Sequence, residues 1–354
     1  MKLDNNETYK KIKEIVSSLP WYVEEYIKYK MRKLAQTTLL NYCHDYKIFF
    51  LWLAKNDEYN AKKISLEDLQ RLSVIEIEEF LNDLTYNFDN KPITINRKLS
   101  SLKSLFNYLQ NIAEHKDFSP YLNRNVMAKI EFNNIKEDME TIANKMEGKI
   151  LLGDEYEEFR LFVASNYIEA CMNNKRKINY YRINKERDTA IISLILGSGL
   201  RLSEVVQLDL SDIDFVKNTA RVIRKGNKEQ YVYFSDIAAD DLKEYIKIRI
   251  GRYEIEKSQK ALFIAAKVGP EGKSRRLTNR SIEKIVEKYA TAYGKPSLTV
   301  HKLRHSFATR YHQEVNDVPK LRRQLGHSAI QTTMIYTHIR NEDLRKAVNK
   351  MEDF

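Results

Sequence analysis

Cysteine is scarce in this chain of 354 residues: there are two, Cys43 and Cys171. They lie far apart, outside any Cys-x-x-Cys or Cys/His ligand pattern, which excludes a disulfide framework and a structural zinc finger. Glycine and proline are also few, ten and six, which excludes collagen-like and low-complexity chains and suits a mostly helical protein. No run of about 18 apolar residues is present to span a membrane. The opening MKLDNNETYK lacks the apolar core of a signal peptide, so the expected location is the cytoplasm, with no membrane partner. Acidic residues are outnumbered, 49 against 60 basic ones, for a net charge of +11. That excess suits a polyanionic partner, although a merely soluble basic protein would share it. The length exceeds one typical core, so two domains are expected.

From Trp21 to about Leu109, WYVEEYIKYKMRKL, TTLLNYCHDYKIFFLWL, SVIEIEEFLNDL and TINRKLSSLKSLFNYLQ place apolar residues three and four apart, the signature of four amphipathic helices. The last exposes Asn96, Arg97, Lys98 and Lys103 beside Leu99, Leu102, Leu105 and Phe106, a polar face that suits phosphate binding or plain solvation. The text then turns polar and charged. We divide the chain into a helical domain over 17–118, a partly helical linker over 119–153 and a second domain over 154–354.

In the second domain NKERDTAIISLIL reads as a helix stopped by Gly197 and Gly199, and LRLSEVVQL resumes a helix with Arg201 at the junction. The runs TARVIRK and KEQYVYF read as strands joined by a two-residue Gly226-Asn227 loop, with Lys225 and Lys228 flanking the turn. Five further helical segments follow, from LTNRSIEKIVEKYATAYG to NEDLRKAVNKM.

Within HKLRH, His301 and Arg304 stand three residues apart, hence on one helix face, where imidazole and guanidinium can reach one phosphate. In LGHSAIQ, Gly326 ends one helix, while Ser328 and Gln331 form a capping box for the next, fixing His327 in the turn between them. Tyr336 lies about two turns further along that helix. From the helix alone, Tyr336 either packs a core or reacts.

Together with Arg201 in GSGLRLSE and Lys225 in RKGNKE, these residues form the ordered set Arg, Lys, His-x-x-Arg, Gly-His, Tyr, which resembles the active site of the tyrosine recombinases, the phage integrase family. The resemblance covers most of the chain. LPWYVEEYIKYK, NRNVMAKI and NKERDTAIISLILGSGLRLSEVVQLDLSDID look like the Xer branch in which one recombinase acts alone. The implied fold is mainly α: a SAM-like, DNA-clamping four-helix bundle followed by an α+β catalytic domain with a small antiparallel sheet.

The chemistry fits these residue types. Forked donors from Arg201 and Arg304 can stabilise charge developing on a scissile phosphate. Tyrosine, with an ordinary pKa near 10, attacks once its proton is taken, and His301 is the candidate acceptor. Lys225 at a mobile hairpin tip suits protonation of the leaving 5′ oxygen, with Lys228 the alternative if the hairpin register differs. The resemblance implies that His327 bonds a nonbridging oxygen and that Glu204 supports the site. His305 and His338 match no catalytic position and are read as structural. The implied product is a 3′-phosphotyrosyl link, formed with neither metal nor any other cofactor.

Base-edge contacts are expected from the first domain and from the helix near Thr278–Tyr289, where Arg275, Arg276 and Arg280 cluster. In the tail, a helix over about 341–352 carries Leu344, Ala347, Val348 and Met351 at i, i+3, i+4, i+7. It docks either on its own domain or, as the resemblance implies, on a neighbour in a cyclic homotetramer holding two DNA duplexes. The Xer likeness implies chromosome dimer resolution at a dif-like site with an FtsK-type DNA translocase. An integrase or resolvase of a mobile element and a type IB topoisomerase share the chemistry. A DNA-binding regulator with a dead recombinase fold would have lost some of the six positions, and none is lost.

Overall fold

The computed structural model describes residues 4–135, 138–224, 227–256, 258–265, 274–326, 330–334 and 336. Contacts divide the chain into two units, Met1–Lys136 and Glu137–Phe354.

The first unit holds α1 (Asp4–Ser17), α2 (Trp21–Lys30), α3 (Gln36–Leu53), α4 (Glu58–Lys63), α5 (Leu66–Arg71), α6 (Val74–Tyr86) and α7 (Pro92–Asn111). The four expected helices are α2, α3, α6 and α7, and three shorter or flanking ones join them. Local chemistry sets their starts: Ser65 with Asp68 and Ser73 with Glu76 form reciprocal capping boxes, and Pro92 occupies the first turn of α7, where its missing N–H costs nothing. The core is aromatic, with Tyr22, Tyr26, Tyr46, Phe49, Phe50, Phe80 and Phe106 fully buried.

The polar face expected on α7 is corrected in one respect: Lys98 is buried, not exposed. Asp45 on α3 is 1 % exposed and accepts two bonds from Arg97, at 2.6 and 2.7 Å, with Lys98 Nζ at 3.5 Å. A buried carboxylate needs such cations, so the long-range pairing overrides the solvated face. Asn96 exchanges bonds with the backbone of Asn133, and Lys103 donates to the Ile130 carbonyl at 2.5 Å.

Residues 119–153, read from the sequence as a linker, are shared between the units. Leu122, Val126, Met127 and Ile130 are buried in the first core. Helix α8 (Met139–Glu147) belongs to the second unit, where Ala143 and Met146, followed by Ile150, join a small cluster with Ala308, Leu321, Leu325 and Tyr336.

The second unit continues with α9 (Glu155–Leu161), a π turn over Phe162–Asn166, α10 (Tyr167–Ala170) and the long α11 (Lys175–Ser198). Residues Ala190–Leu196 of α11 are buried all round, as befits a central helix that packs against α13 (Asp236–Tyr253) and α15 (Val300–Val315). Helix α11 ends at Gly199 in the left-handed region, φ +68°, where an added Cβ would lie 2.4 Å from the Phe307 ring.

After α12 (Leu202–Gln207), strands β1 (Ile213–Asp214), β2 (Thr219–Arg224) and β3 (Lys228–Tyr233) form an antiparallel sheet in that order. Its register corrects the expected hairpin: Arg224 pairs with Lys228, leaving three residues, 225–227, in the loop, with Asn227 at φ +57°. A left-handed third position is the usual solution for a three-residue hairpin, and Asn tolerates it. Strands β4 (Ile264–Ala265) and β5 (Arg275–Arg276) form a second small sheet, and α14 (Asn279–Ala292), α16 (Val318–Leu325) and α17 (Gln331–Met334) complete the described elements. The fold is thus predominantly helical with small antiparallel sheets. The tail, 341–354, lies outside the described residues.

Candidate active site

Four chain segments converge: the α11–α12 junction, the end of β2, α15, and the α16 C-terminus with the helix after it. Arg201 is the N-cap of α12. Its backbone N–H donates to Glu204 Oε2 at 2.9 Å, its Nη1 to Glu204 Oε1 at 2.8 Å, and its Nη2 to the Gly326 carbonyl at 2.9 Å. Arg304 is 3 % exposed and donates to the carbonyls of Gly199 at 2.5 Å and Leu325 at 2.8 Å. The left-handed ends of α11 and α16, Gly199 and Gly326, thereby turn carbonyls toward the two guanidiniums.

Glu204 is buried and accepts a third bond, from Arg224 Nε at 3.0 Å. Arg224 also donates to Gln230 and to the Gln324 carbonyl, and packs so closely on Gly326 that a Cβ there would lie 1.8 Å from its Nη1. One guanidinium therefore ties the end of β2 to the C-terminal end of α16. Arg224 is not legible in the sequence, because alternation along β2 does not reveal which distant backbone an inward arginine meets.

Electrostatics follow from this crowding. Burial, then Arg201, lowers Arg304 to about 10, with Glu204 opposing. Burial also lowers Arg224, again opposed by Glu204. Such a cluster is suited to an incoming anion, whose charge would restore the guanidiniums to their ordinary range. His301 is lowered by partial desolvation and by Arg304, which favours the neutral imidazole needed to accept a proton. A cleft of about 760 Å³ opens here, lined by Arg201, His301 and Arg304 together with Arg280, Glu283 and Glu287.

Tyr336 is 1 % exposed. Burial raises its phenol to about 12, against the pull of Arg304 and Arg201, so it is neutral at physiological pH. Its hydroxyl lies 2.7 Å from Nδ1 of His305, with ring centroids 5.6 Å apart. His305, read from the sequence as a structural neighbour, is thus the polar partner of the tyrosine. The signal was available, since His305 stands four residues after His301 and therefore on the same helix face.

The structure brings together Arg201, Glu204, His301, Arg304 and Tyr336. Lys225, His327, Ser328 and His338 lie outside the described residues. Lys228 is exposed at the start of β3. Of the three arginines expected near α14, Arg276 is held by the carbonyls of Val206 and Leu208 and by Asp209, whereas Arg275 and Arg280 are exposed.

Comparison with known proteins gives two domain matches, the Phage integrase family over residues 162–343 and the Phage integrase, N-terminal SAM-like domain over 23–111. The chain is 39% identical to the tyrosine recombinase XerS of Streptococcus mutans serotype c (strain UA159), covering 96% of this chain and 98% of that one. It is 37% identical to the XerS of Streptococcus sanguinis (strain SK36) over the same shares. Among solved structures it resembles the XerH site-specific recombinase bound to palindromic difH substrate, with a TM-score of 0.66 and 21% identity over 94% of this chain and 95% of that one. A lambda integrase dimer bound to a core site shares the fold at a TM-score of 0.58 and 14% identity, over 90% of this chain and 95% of that one.

Proposed function

This chain belongs to the phage integrase family, the tyrosine-type site-specific recombinases, and from that premise we propose that it resolves chromosome dimers at a short, imperfectly palindromic dif-like site. Support for the chromosomal role comes from the near full-length likeness to streptococcal XerS. The observation that carries the mechanism is the convergence of Arg201 and Arg304 beside the buried Tyr336.

In this reading the scissile phosphodiester of double-stranded DNA sits against the two guanidiniums, whose forked donors stabilise charge on its nonbridging oxygens. Tyr336 attacks phosphorus and forms a 3′-phosphotyrosyl link. Lys225 protonates the leaving 5′ oxygen, His327 bonds a nonbridging oxygen, and His301 assists proton transfer. Glu204 holds Arg201 in place. The link conserves the phosphodiester's energy, so a second strand reverses it through a Holliday junction without ATP, metal or cofactor. Arg275, Arg280 and the exposed part of Arg97 contact the duplex, mostly at phosphates, so affinity falls steeply with salt.

The working assembly is a homotetramer on two duplexes in the cytoplasm, with tail residues 341–354 passing to the neighbouring subunit and an FtsK-type translocase aligning the sites. Deleting 341–354 leaves DNA binding intact and abolishes recombination.

The test is covalent trapping on nicked duplexes recovered by selecting randomised DNA on the protein, with Tyr336→Phe as the control. An adduct that forms in EDTA and disappears in the variant supports the reading. An adduct persisting in the variant, or strict dependence on magnesium, contradicts it.

A further inference from the structure

We propose that His305, rather than His301, is the catalytic base that takes the phenol proton of Tyr336, an assignment that rests on the recombinase reading above. The hydroxyl and Nδ1 are 2.7 Å apart, within the range for direct proton transfer. The pair is set for that job by its surroundings. His305 is half-buried on α15, held edge-on by the His301 ring at 4.3 Å between centroids. Tyr336 is enclosed by apolar side chains of α8 and α16, Met146, Leu321 and Leu325 among them. The phenol is thereby shielded from bulk water and meets its base at the half-buried imidazole.

The charged and titratable groups facing the pair among the described residues are Arg304 and His301 on α15 itself and Arg201 at the start of α12. Both guanidiniums favour phenolate over phenol and work against burial of the ring.

The step balances. The phenol O–H breaks and its proton passes to Nδ1, with the other ring proton on Nε2. The phenol oxygen bonds phosphorus, the bond from phosphorus to O5′ breaks, and the leaving oxygen takes a proton from the general acid. On rejoining, the imidazolium returns its proton to the departing phenolate.

The experiment is single-turnover cleavage of the selected nicked duplex by the wild-type chain and by His305→Ala, His305→Asn and His301→Asn, measured from about pH 5.5 to 9.5, around the ordinary histidine range. The oxygen of asparagine can stand in for Nδ1 and hold Tyr336 without accepting its proton, which separates a base from a packing group. Both His305 variants are expected to bind DNA as the wild type does and to cut about 10²–10⁴-fold more slowly. In His305→Asn the rate should climb with hydroxide and lose the inflection near about pH 6.5, which His301→Asn retains. Cleavage by His305→Asn within about threefold of wild type, or loss of the inflection in His301→Asn instead, overturns the assignment and leaves the recombinase reading standing. A wild-type chain that forms no adduct overturns the recombinase reading itself, and the assignment with it.

Discussion

Arg97 and Arg304 are both arginines on helices, the first exposed and the second buried, and their partners differ in kind. Arg97 and the neighbouring Lys98 share one buried carboxylate, Asp45, which holds α7 to α3. Arg304 is held by two backbone carbonyls, and Arg201 by a third together with Glu204. A carbonyl orients a guanidinium without neutralising it. The carbonyls around Arg304 therefore leave its charge in place, and Glu204 is shared between Arg201 and Arg224, which leaves the cluster with an excess of positive charge suited to an anion. The depressed Arg304, held near 10 by burial and by Arg201, is the electrostatic mark of that excess.

Removing the carboxylate from each region breaks the comparison most strongly. Glu204→Gln leaves Arg224, whose side chain is 9 % exposed, without its charge partner. It should destabilise the second unit by about 3–5 kcal/mol in a urea titration and also lower cleavage, because Arg201 loses its orientation. Asp45→Asn does the same to Lys98 in the first unit, at about 3 kcal/mol since Arg97 can turn to water. Cleavage per bound duplex should be unchanged in that variant.

A smaller effect sharpens the comparison through pH. Arg304 is depressed in the folded chain relative to its ordinary 12.5, so its charge costs stability below about pH 10, and the cost fades as pH rises through that value. An anion on the two guanidiniums reverses the effect at neutral pH. Sulfate, against chloride at matched ionic strength, should raise the melting temperature by about 2–4 °C for each 1 kcal/mol of binding. The rise should disappear in Arg304→Gln and persist in Arg97→Gln.

The sequence carried much of this, unevenly. His301 and Arg304 were legible because a three-residue spacing on a helix places two side chains on one face, and Arg201 because two glycines mark the end of α11. Helix α8 reads in the sequence only as part of a partly helical linker, because its charge density masks the helical repeat of Ile142, Ala143, Met146 and Ile150. The hairpin register slipped by one, since Gly226-Asn227 looks like a two-residue turn and the left-handed Asn227 that closes a three-residue loop has the same composition. The buried Lys98 and the Arg224 hub depend on partners 53 and 100 residues away in the chain, Asp45 and Gln324, and no local periodicity reports such pairings.

The most direct test of the division between structural and reactive cations is the cleavage rate at saturating selected duplex for Arg304→Gln beside Arg97→Gln. Arg304→Gln should fall by about 10²–10³-fold, as expected when a donor to a developing oxyanion is removed. Arg97→Gln should stay within about twofold of wild type, as befits a partly exposed ion pair. Equal losses in the two variants, or a larger loss in Arg97→Gln, would contradict the account.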